Sequence, residues 1–227
     1  WGSSGGLPLI VLAPVDVNDC YSLTLQAFIL AEKFRCPVLI ASNKEIALTH
    51  ENIDIDAFIK PDNIVRKAPS PGEPFLPFEA SSDLKVPYFL PIGGKVPVRQ
   101  TSSTHGPDGY ITTNSDEIAK IQDRLKSKIL SAADRFSFHE ARLEEGADTL
   151  ILTYGVTARA ARAVYKEEKG RGNPVSLLIL KTLWPVPEDL IRKIAMNVKR
   201  VVVVEMNLGQ YVREIERILI DKKIDFL

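Results

Sequence analysis

Thr149-Leu150-Ile151-Leu152-Thr153-Tyr154, Val175-Ser176-Leu177-Leu178-Ile179-Leu180 and Val201-Val202-Val203-Val204 decide the fold. Each is a short, almost unbroken apolar run, the pattern of a strand covered on both faces, as in a parallel sheet flanked by helices. Between the first two, Gly155-Val156-Thr157 reads as a turn and Ala158 to Lys169 as an alanine-rich helix that ends at Gly170. After the second, Lys181-Thr182-Leu183-Trp184-Pro185 continues the strand. Pro187 then fits a first helical turn, where its missing N–H is harmless, ahead of Glu188, Asp189 and the apolar face Leu190, Ile191, Ile194. Gly209-Gln210 opens a last helix through Ile215, Ile218 and Leu219. Three strands alternating with three helices specify a parallel α/β domain over residues 147–227.

Towards the N-terminus, Ser115-Asp116-Glu117 starts a helix with Ile118, Ile121, Leu125 and Ile129 on one face, continuing toward Phe138. Before it the character changes: Pro61, Pro69, Pro71, Pro74, Pro77, Pro87, Pro91, Pro97 and Pro107 break every periodic pattern. Residues 60–110 therefore form a connector, of the kind that wraps a neighbour or carries a binding loop. Earlier still, Leu7 to Ala13 is a buried strand, and Asp16 or Asn18 can cap the helix that follows. Leu23, Ala27, Leu30, Ala31 and Phe34 give that helix its apolar face, Cys36-Pro37 stops it, and Val38 to Ser42 resumes as a strand. Strand, helix and strand in this order make a right-handed βαβ unit.

Several functional classes are excluded by composition. Lys plus Arg and Asp plus Glu are 29 each, so no net field draws the chain to nucleic acid or an acidic membrane. No apolar run approaches the ~18 residues of a membrane span, which makes the cytoplasm the expected location. Cys20 and Cys36 form no C-x-x-C pair, and His50, His105 and His139 form no H-E-x-x-H. Neither an iron–sulfur cluster nor a zinc site is expected, and no metal ligand is assigned. Gly2-Ser3-Ser4-Gly5-Gly6 matches G-x-S-x-G, but a strand follows the serine where the nucleophile elbow needs a helix, so the stretch reads as an entry loop. The dinucleotide fingerprint and the phosphate-binding loop are absent.

Three places remain for chemistry. Thr104-His105-Gly106-Pro107-Asp108-Gly109 is a polar turn in which Thr104, His105 and Asp108 can face a partner or ligand, or simply turn the chain. Gly155 and Thr157 lie where a strand gives way to a helix, whose bare N–H groups can receive an anion. Glu205 and Asn207 occupy the corresponding end of another strand, the edge where open parallel sheets place ligands. The alternative at both strand ends is an ordinary loop.

Four stretches taken in order carry a resemblance. They are Trp1-Gly2 with Leu9 to Pro14 and Phe28 to Lys33; Thr104 to Tyr110; Thr153 to Thr157 with Leu183 to Pro187; and Val202 to Asn207 with Gly209-Gln210. Together they resemble the alpha subunit of 2-oxoacid:ferredoxin oxidoreductases, although that family more often has a second acidic residue where Met206 stands. The resemblance implies an α/β fold: the end of a thiamine-diphosphate-binding (pyrimidine) domain over 1–60, a Pro-rich connector and linking helix over 61–146, and a transketolase C-terminal-like parallel-sheet domain over 147–227. It implies oxidative decarboxylation of a 2-oxoacid to acyl-CoA with electrons passed to ferredoxin.

It also implies a heteromer with a beta subunit, and with gamma and delta subunits in some members, in which beta supplies most of the thiamine diphosphate and magnesium site. Iron–sulfur clusters sit on the partner chains. The family's glutamate that activates the aminopyrimidine precedes the matched part, so no residue of this chain inherits a catalytic role and the chain alone is expected to be inactive. The other readings are a beta subunit of a thiamine-dependent 2-oxoacid dehydrogenase, a transketolase fragment, or a non-catalytic α/β interaction module.

Overall fold

A computed structural model of the chain describes residues 8–54, 56, 58, 64–80, 86–99, 101 and 103–226. Gly2-Ser3-Ser4-Gly5-Gly6 and Trp1 lie outside the described residues. The chain divides into two units. One holds the described residues of Trp1–Leu9, Phe28–Pro37 and Lys60–Ala132; the other holds those of Ile10–Ala27, Val38–Ile59 and Ala133–Leu227.

The second unit is built on two sheets. β1 (Ile10–Leu12) pairs in parallel with β2 (Val38–Ile40), and α1 (Val17–Phe34) connects them, completing the βαβ unit; the boundary between the two units falls inside α1, after Ala27. Asp16 starts α1: its Oδ1 accepts from the Asp19 N–H at 2.9 Å, satisfying a donor of the first turn. A short α2 (Lys44–Ala47) follows β2.

The larger sheet runs in the order β3-β5-β4-β7-β8. Its centre is β4 (Thr149–Tyr154), parallel to β5 (Ser176–Leu180) on one side and to β7 (Arg200–Val204) on the other. Alternate residues serve opposite faces. Leu150, Leu152, Leu178, Leu180 and Val201 pack with Ile191 of α5 (Glu188–Ile194), with Ala195 just after it, and with Ile215 and Ile218 of α6 (Val212–Ile218). Ile151, Leu177 and Ile179 pack on the other face with Val15 and with Ala158, Ala161 and Tyr165 of α4 (Thr157–Gly170). Small alanines on α4 let the helix lie close to the strands.

Three features differ from the sequence reading. Lys181 to Pro185 does not prolong β5: β6 (Thr182–Trp184) leaves the large sheet and pairs antiparallel with β1, giving the small sheet the order β2-β1-β6. The buried Thr182 sits at this break, its hydroxyl donating to the Phe136 carbonyl and accepting from the Phe138 N–H at 3.0 Å. Second, an antiparallel edge strand, β3 (His139–Arg142), lies beside β5. Its sequence His-Glu-Ala-Arg has no apolar alternation because an edge strand tolerates charge, which also blocks pairing with other chains. Third, β8 (Asp225–Phe226) closes the far edge.

In the first unit, α3 (Ser115–Leu130) is capped by Asn114, whose side chain accepts from the Asp116 and Glu117 N–H groups. It stops at Leu130 rather than running toward Phe138; a 3-10 turn, Ala133–Phe136, intervenes. Lys128 is buried, and its Nζ donates to the Arg35 carbonyl at 3.3 Å. Through the described part of the connector, 64–110, no helix or strand forms; His105 makes an isolated bridge with Ile111. Limited proteolysis is therefore expected to cut within 60–110 and to leave 147–227 intact. Cleavage inside Val201 to Val204 in preference to the connector would contradict this arrangement.

Candidate functional site

The carboxyl ends of β4 and β7 carry a dense polar cluster of the second unit. The Tyr154 hydroxyl donates to Glu205 Oε2 at 2.8 Å, and Asn207 Nδ2 lies 2.7 Å from both that carboxylate and the Tyr154 oxygen. The Tyr211 N–H donates to Glu205 Oε2 at 3.0 Å and the Val212 N–H to Oε1 at 3.1 Å, while Asn207 Oδ1 accepts from the Gln210 N–H at 2.9 Å. Glu205 thus holds the first backbone donors of α6 in the manner of a distant cap. Burial pushes its carboxyl up, but the bonds from Asn207, Tyr154, Val212 and Tyr211 outweigh that and hold it below the ordinary carboxylate range. Burial, reinforced by the hydrogen bond to Glu205, pushes the Tyr154 phenol up, so it stays a donor. Tyr211 closes the cluster with its ring against Tyr154, centroids 5.2 Å apart, and its hydroxyl on the Leu183 carbonyl.

The turn after β4 is pinned from two sides. Thr157 Oγ1 lies 2.7 Å from both the Tyr154 carbonyl and Thr153 Oγ1, and Thr153 Oγ1 lies 2.8 Å from the Val204 carbonyl, so two hydroxyl protons are shared among three contacts. From the other side Asn43 Oδ1 accepts the Val156 N–H at 3.0 Å. One of the donors that the sequence offers to an anion at this helix start, the Val156 N–H, is thus occupied by the chain's own carboxamide. Gly155 makes the approach feasible: its φ is +61°, and a Cβ there would stand 2.6 Å from Asn43 Oδ1.

Nearby in the same unit the start of α1 meets α4. Arg162 reaches Glu140 at 2.6 Å and Asp16 at 3.4 Å, Arg159 pairs with Glu51, and the buried Asp19 pairs with Lys181 at 2.7 Å. An open groove of about 430 Å³ is lined by Asp16, Asn18, Glu51, Arg159, Arg162 and Lys166, so its walls carry both signs of charge.

Thr104, His105 and Asp108 belong to the first unit. Their turn is ordered by its own bonds: the Gly106 N–H to the Tyr110 carbonyl at 2.8 Å, the Thr112 N–H to the Thr104 carbonyl at 3.1 Å, and the Tyr110 N–H to Asp108 Oδ1 at 3.0 Å. The His105 ring lies against Phe78, with centroids 3.6 Å apart. Gly155, Thr157, Glu205 and Asn207 come together at one sheet edge, whereas Thr104, His105 and Asp108 form a separate turn. Sequence reasoning passed over Tyr154, Tyr211 and Asn43. Tyr154 had a signal, as a polar aromatic ending an apolar strand; Asn43 had only its place as the asparagine before a short helix.

Among the described residues no group of three or more His, Cys, Asp or Glu is placed to hold a metal ion, and no helix is long and apolar enough to cross a membrane. Cys20 and Cys36 are free thiols that burial pushes above the ordinary range.

Residues 5–122 match the family described as pyruvate flavodoxin/ferredoxin oxidoreductase, thiamine-diphosphate-binding, and residues 147–227 match pyruvate:ferredoxin oxidoreductase core domain II. The chain belongs to the 2-oxoacid:ferredoxin oxidoreductase family. It is 34% identical over 220 residues to the 2-oxoglutarate synthase subunit KorA of Methanothermobacter thermautotrophicus, covering 96% of this chain and 58% of that protein. To the ketoisovalerate oxidoreductase subunit VorB of the same organism it is 25% identical over 209 residues, covering 92% and 52%. A solved structure of the 2-oxoglutarate:ferredoxin oxidoreductase of Magnetococcus marinus, with 2-oxoglutarate, coenzyme A and succinyl-CoA bound, superposes with a TM-score of 0.85 at 25% identity. That match covers all of this chain and 40% of the other. The chain thus spans a little over half the length of these curated relatives. The glutamate-centred turn Val202 to Gln210 and the strand end Thr153 to Thr157, which belong to two of the four stretches that carry the resemblance, are the two halves of the polar edge described above.

Proposed function

We propose that these residues are the part of an alpha subunit that frames the thiamine site of a 2-oxoacid:ferredoxin oxidoreductase and docks its partner subunits. In the proposed reaction a 2-oxoacid anion and coenzyme A give acyl-CoA, carbon dioxide and a proton, and two electrons pass singly to two ferredoxins. The observation that carries this reading is superposition of the whole chain on an enzyme solved with 2-oxoglutarate and coenzyme A, with the two family models in the same order along the sequence. Thiamine diphosphate supplies the chemistry that cleaves the carboxylate bond in such enzymes.

Among the described residues no group of three or more His, Cys, Asp or Glu is placed to hold a metal ion, and the Val156 N–H at the start of α4 is taken by Asn43. No step is therefore derived through the cofactor. The reading assigns that site, with the iron–sulfur clusters, to partner subunits, and gives this chain the task of presenting two rigid edges. One is the Tyr154–Glu205–Asn207 cluster and the other the Thr104–Asp108 turn, each internally hydrogen-bonded so that little ordering remains to be done on assembly. A cytoplasmic, heteromeric enzyme follows from the same reading, with a beta subunit as the constant partner and gamma and delta subunits in some assemblies.

Affinity purification of the polypeptide from its native cell tests this. The expected partner is an iron–sulfur subunit with a visible cluster absorbance. Recovery of a lipoyl-bearing acyltransferase would favour a thiamine-dependent dehydrogenase instead, and a monomer with neither would leave an interaction module.

A further inference from the structure

Asn43 stands at the N-cap position of α2 with extended backbone angles, φ −96° and ψ 152°, the place where an asparagine side chain ordinarily caps its own helix. It makes no such bond. Its Oδ1 instead accepts the Val156 N–H, 113 positions away in sequence, at 3.0 Å. The receiving turn is shaped for it, since Gly155 sits at φ +61° and any side chain there would meet Oδ1 at 2.6 Å. A favourable local cap is forgone, and a backbone position is restricted to glycine, for one long-range contact. Conflicts between local rule and global structure concentrate where a protein uses them.

The turn so held, Tyr154-Gly155-Val156-Thr157, carries the Tyr154 hydroxyl into the Glu205–Asn207 cluster, and Thr157 clamps its other side through the Tyr154 carbonyl. Asn43 lies in the stretch matched by the thiamine-binding family model, while Gly155 and Val156 lie in the stretch matched by core domain II. We propose that Asn43 is a positioning residue that registers the thiamine-binding segment against core domain II, setting the Tyr154 edge in its working geometry. Its action is indirect, through the turn. The functional half of this inference rests on the function proposed above.

Two readouts test it. In the 227-residue chain, hydrogen exchange should show the Val156 amide exchanging at least about tenfold faster in Asn43→Ala, with β4 and β5 protection retained, and near wild-type protection in Asn43→Asp, whose carboxylate oxygen accepts the same N–H. In the complete alpha subunit assembled with its partners, Asn43→Ala should lower kcat by about tenfold, as small misplacements of a working group do, with the oxoacid KM within about twofold; Asn43→Asp should restore kcat. Unchanged Val156 exchange in Asn43→Ala would overturn the contact. A faster-exchanging Val156 with unchanged kcat, or an Asn43→Asp variant as slow as Asn43→Ala, would overturn the positioning role. If the wild-type assembly itself does not turn over an oxoacid, the proposed function fails, and the exchange result still decides the contact.

Discussion

Glu205→Ala is expected to destabilise the second unit by about 3 kcal/mol, because its carboxylate accepts from two side chains and two backbone N–H groups at the start of α6, and hydrogen bonds to charged acceptors contribute roughly 1.5–3 kcal/mol before the remaining donors find water. Glu205→Gln keeps the shape but loses the charge and one acceptor, and should cost about 1 kcal/mol. The sign of the pH dependence follows from the carboxyl being held below its ordinary value. Its stabilisation is in place above the unfolded-state value near 4.5 and is lost as pH falls through the folded value, so wild type and Glu205→Gln should converge in acid. Urea unfolding of the three proteins at pH 7 and pH 4 measures this. A Glu205→Ala variant as stable as wild type at pH 7 would show that the cluster is decorative.

The second large effect is expected at Lys128, where charge is buried rather than exploited. Burial, aided by the like charges of Arg124 and Arg35, lowers its ammonium from 10.5 to about 8, with only Cys36 pulling the other way. A lysine whose folded value is depressed penalises the fold fully below about 8, and the penalty lifts as pH rises toward 10.5, where the unfolded chain also loses its proton. Lys128→Met loses the bond to the Arg35 carbonyl but removes the buried charge, and should be more stable than wild type by about 1–3 kcal/mol at pH 7. The advantage should shrink by pH 10. Melting temperatures of both proteins across that range check it; a wild type that is the more stable at pH 7 would mean that the Arg35 carbonyl bond outweighs the desolvation.

The parts of the fold that were legible in the sequence are those where one physical signal dominates. Apolar runs at Thr149–Tyr154 and Val201–Val204 gave their strands because a strand covered on both faces has to be apolar throughout. The same logic hid β3, whose edge position allows His139, Glu140 and Arg142, and misassigned Thr182–Trp184, since an apolar run does not say which sheet it joins. The end of α3 was overrun because Ala132 and Phe136 keep a helical spacing beyond the point where Ser131 caps it. At the candidate site, Glu205, Asn207, Gly155 and Thr157 stood out as polar or flexible residues at strand ends, yet the sequence offered them as ligand donors, whereas Glu205, Asn207 and Thr157 bond mainly to neighbouring groups of the chain itself, among them Tyr154, Val204, Gln210, Tyr211 and Val212. Asn43 was invisible because its significance lies in a partner far along the chain, and only folding brings the loop after β2 to the turn after β4.

The central claim is that this stretch frames a site completed by other polypeptide, and oxoacid-dependent reduction of a viologen dye tests it most directly. Three mixtures are compared, each with thiamine diphosphate, magnesium, coenzyme A and a 2-oxoacid: the 227-residue chain alone, the chain with the beta subunit, and a complete alpha subunit with beta. A general acid or base has to lie within hydrogen-bond reach of the proton it moves, and at the β4–β7 edge the Glu205 carboxylate is already engaged by Tyr154, Asn207 and the Tyr211 and Val212 N–H groups. Dye reduction is expected only in the third mixture. Turnover by the 227-residue chain alone would contradict the account.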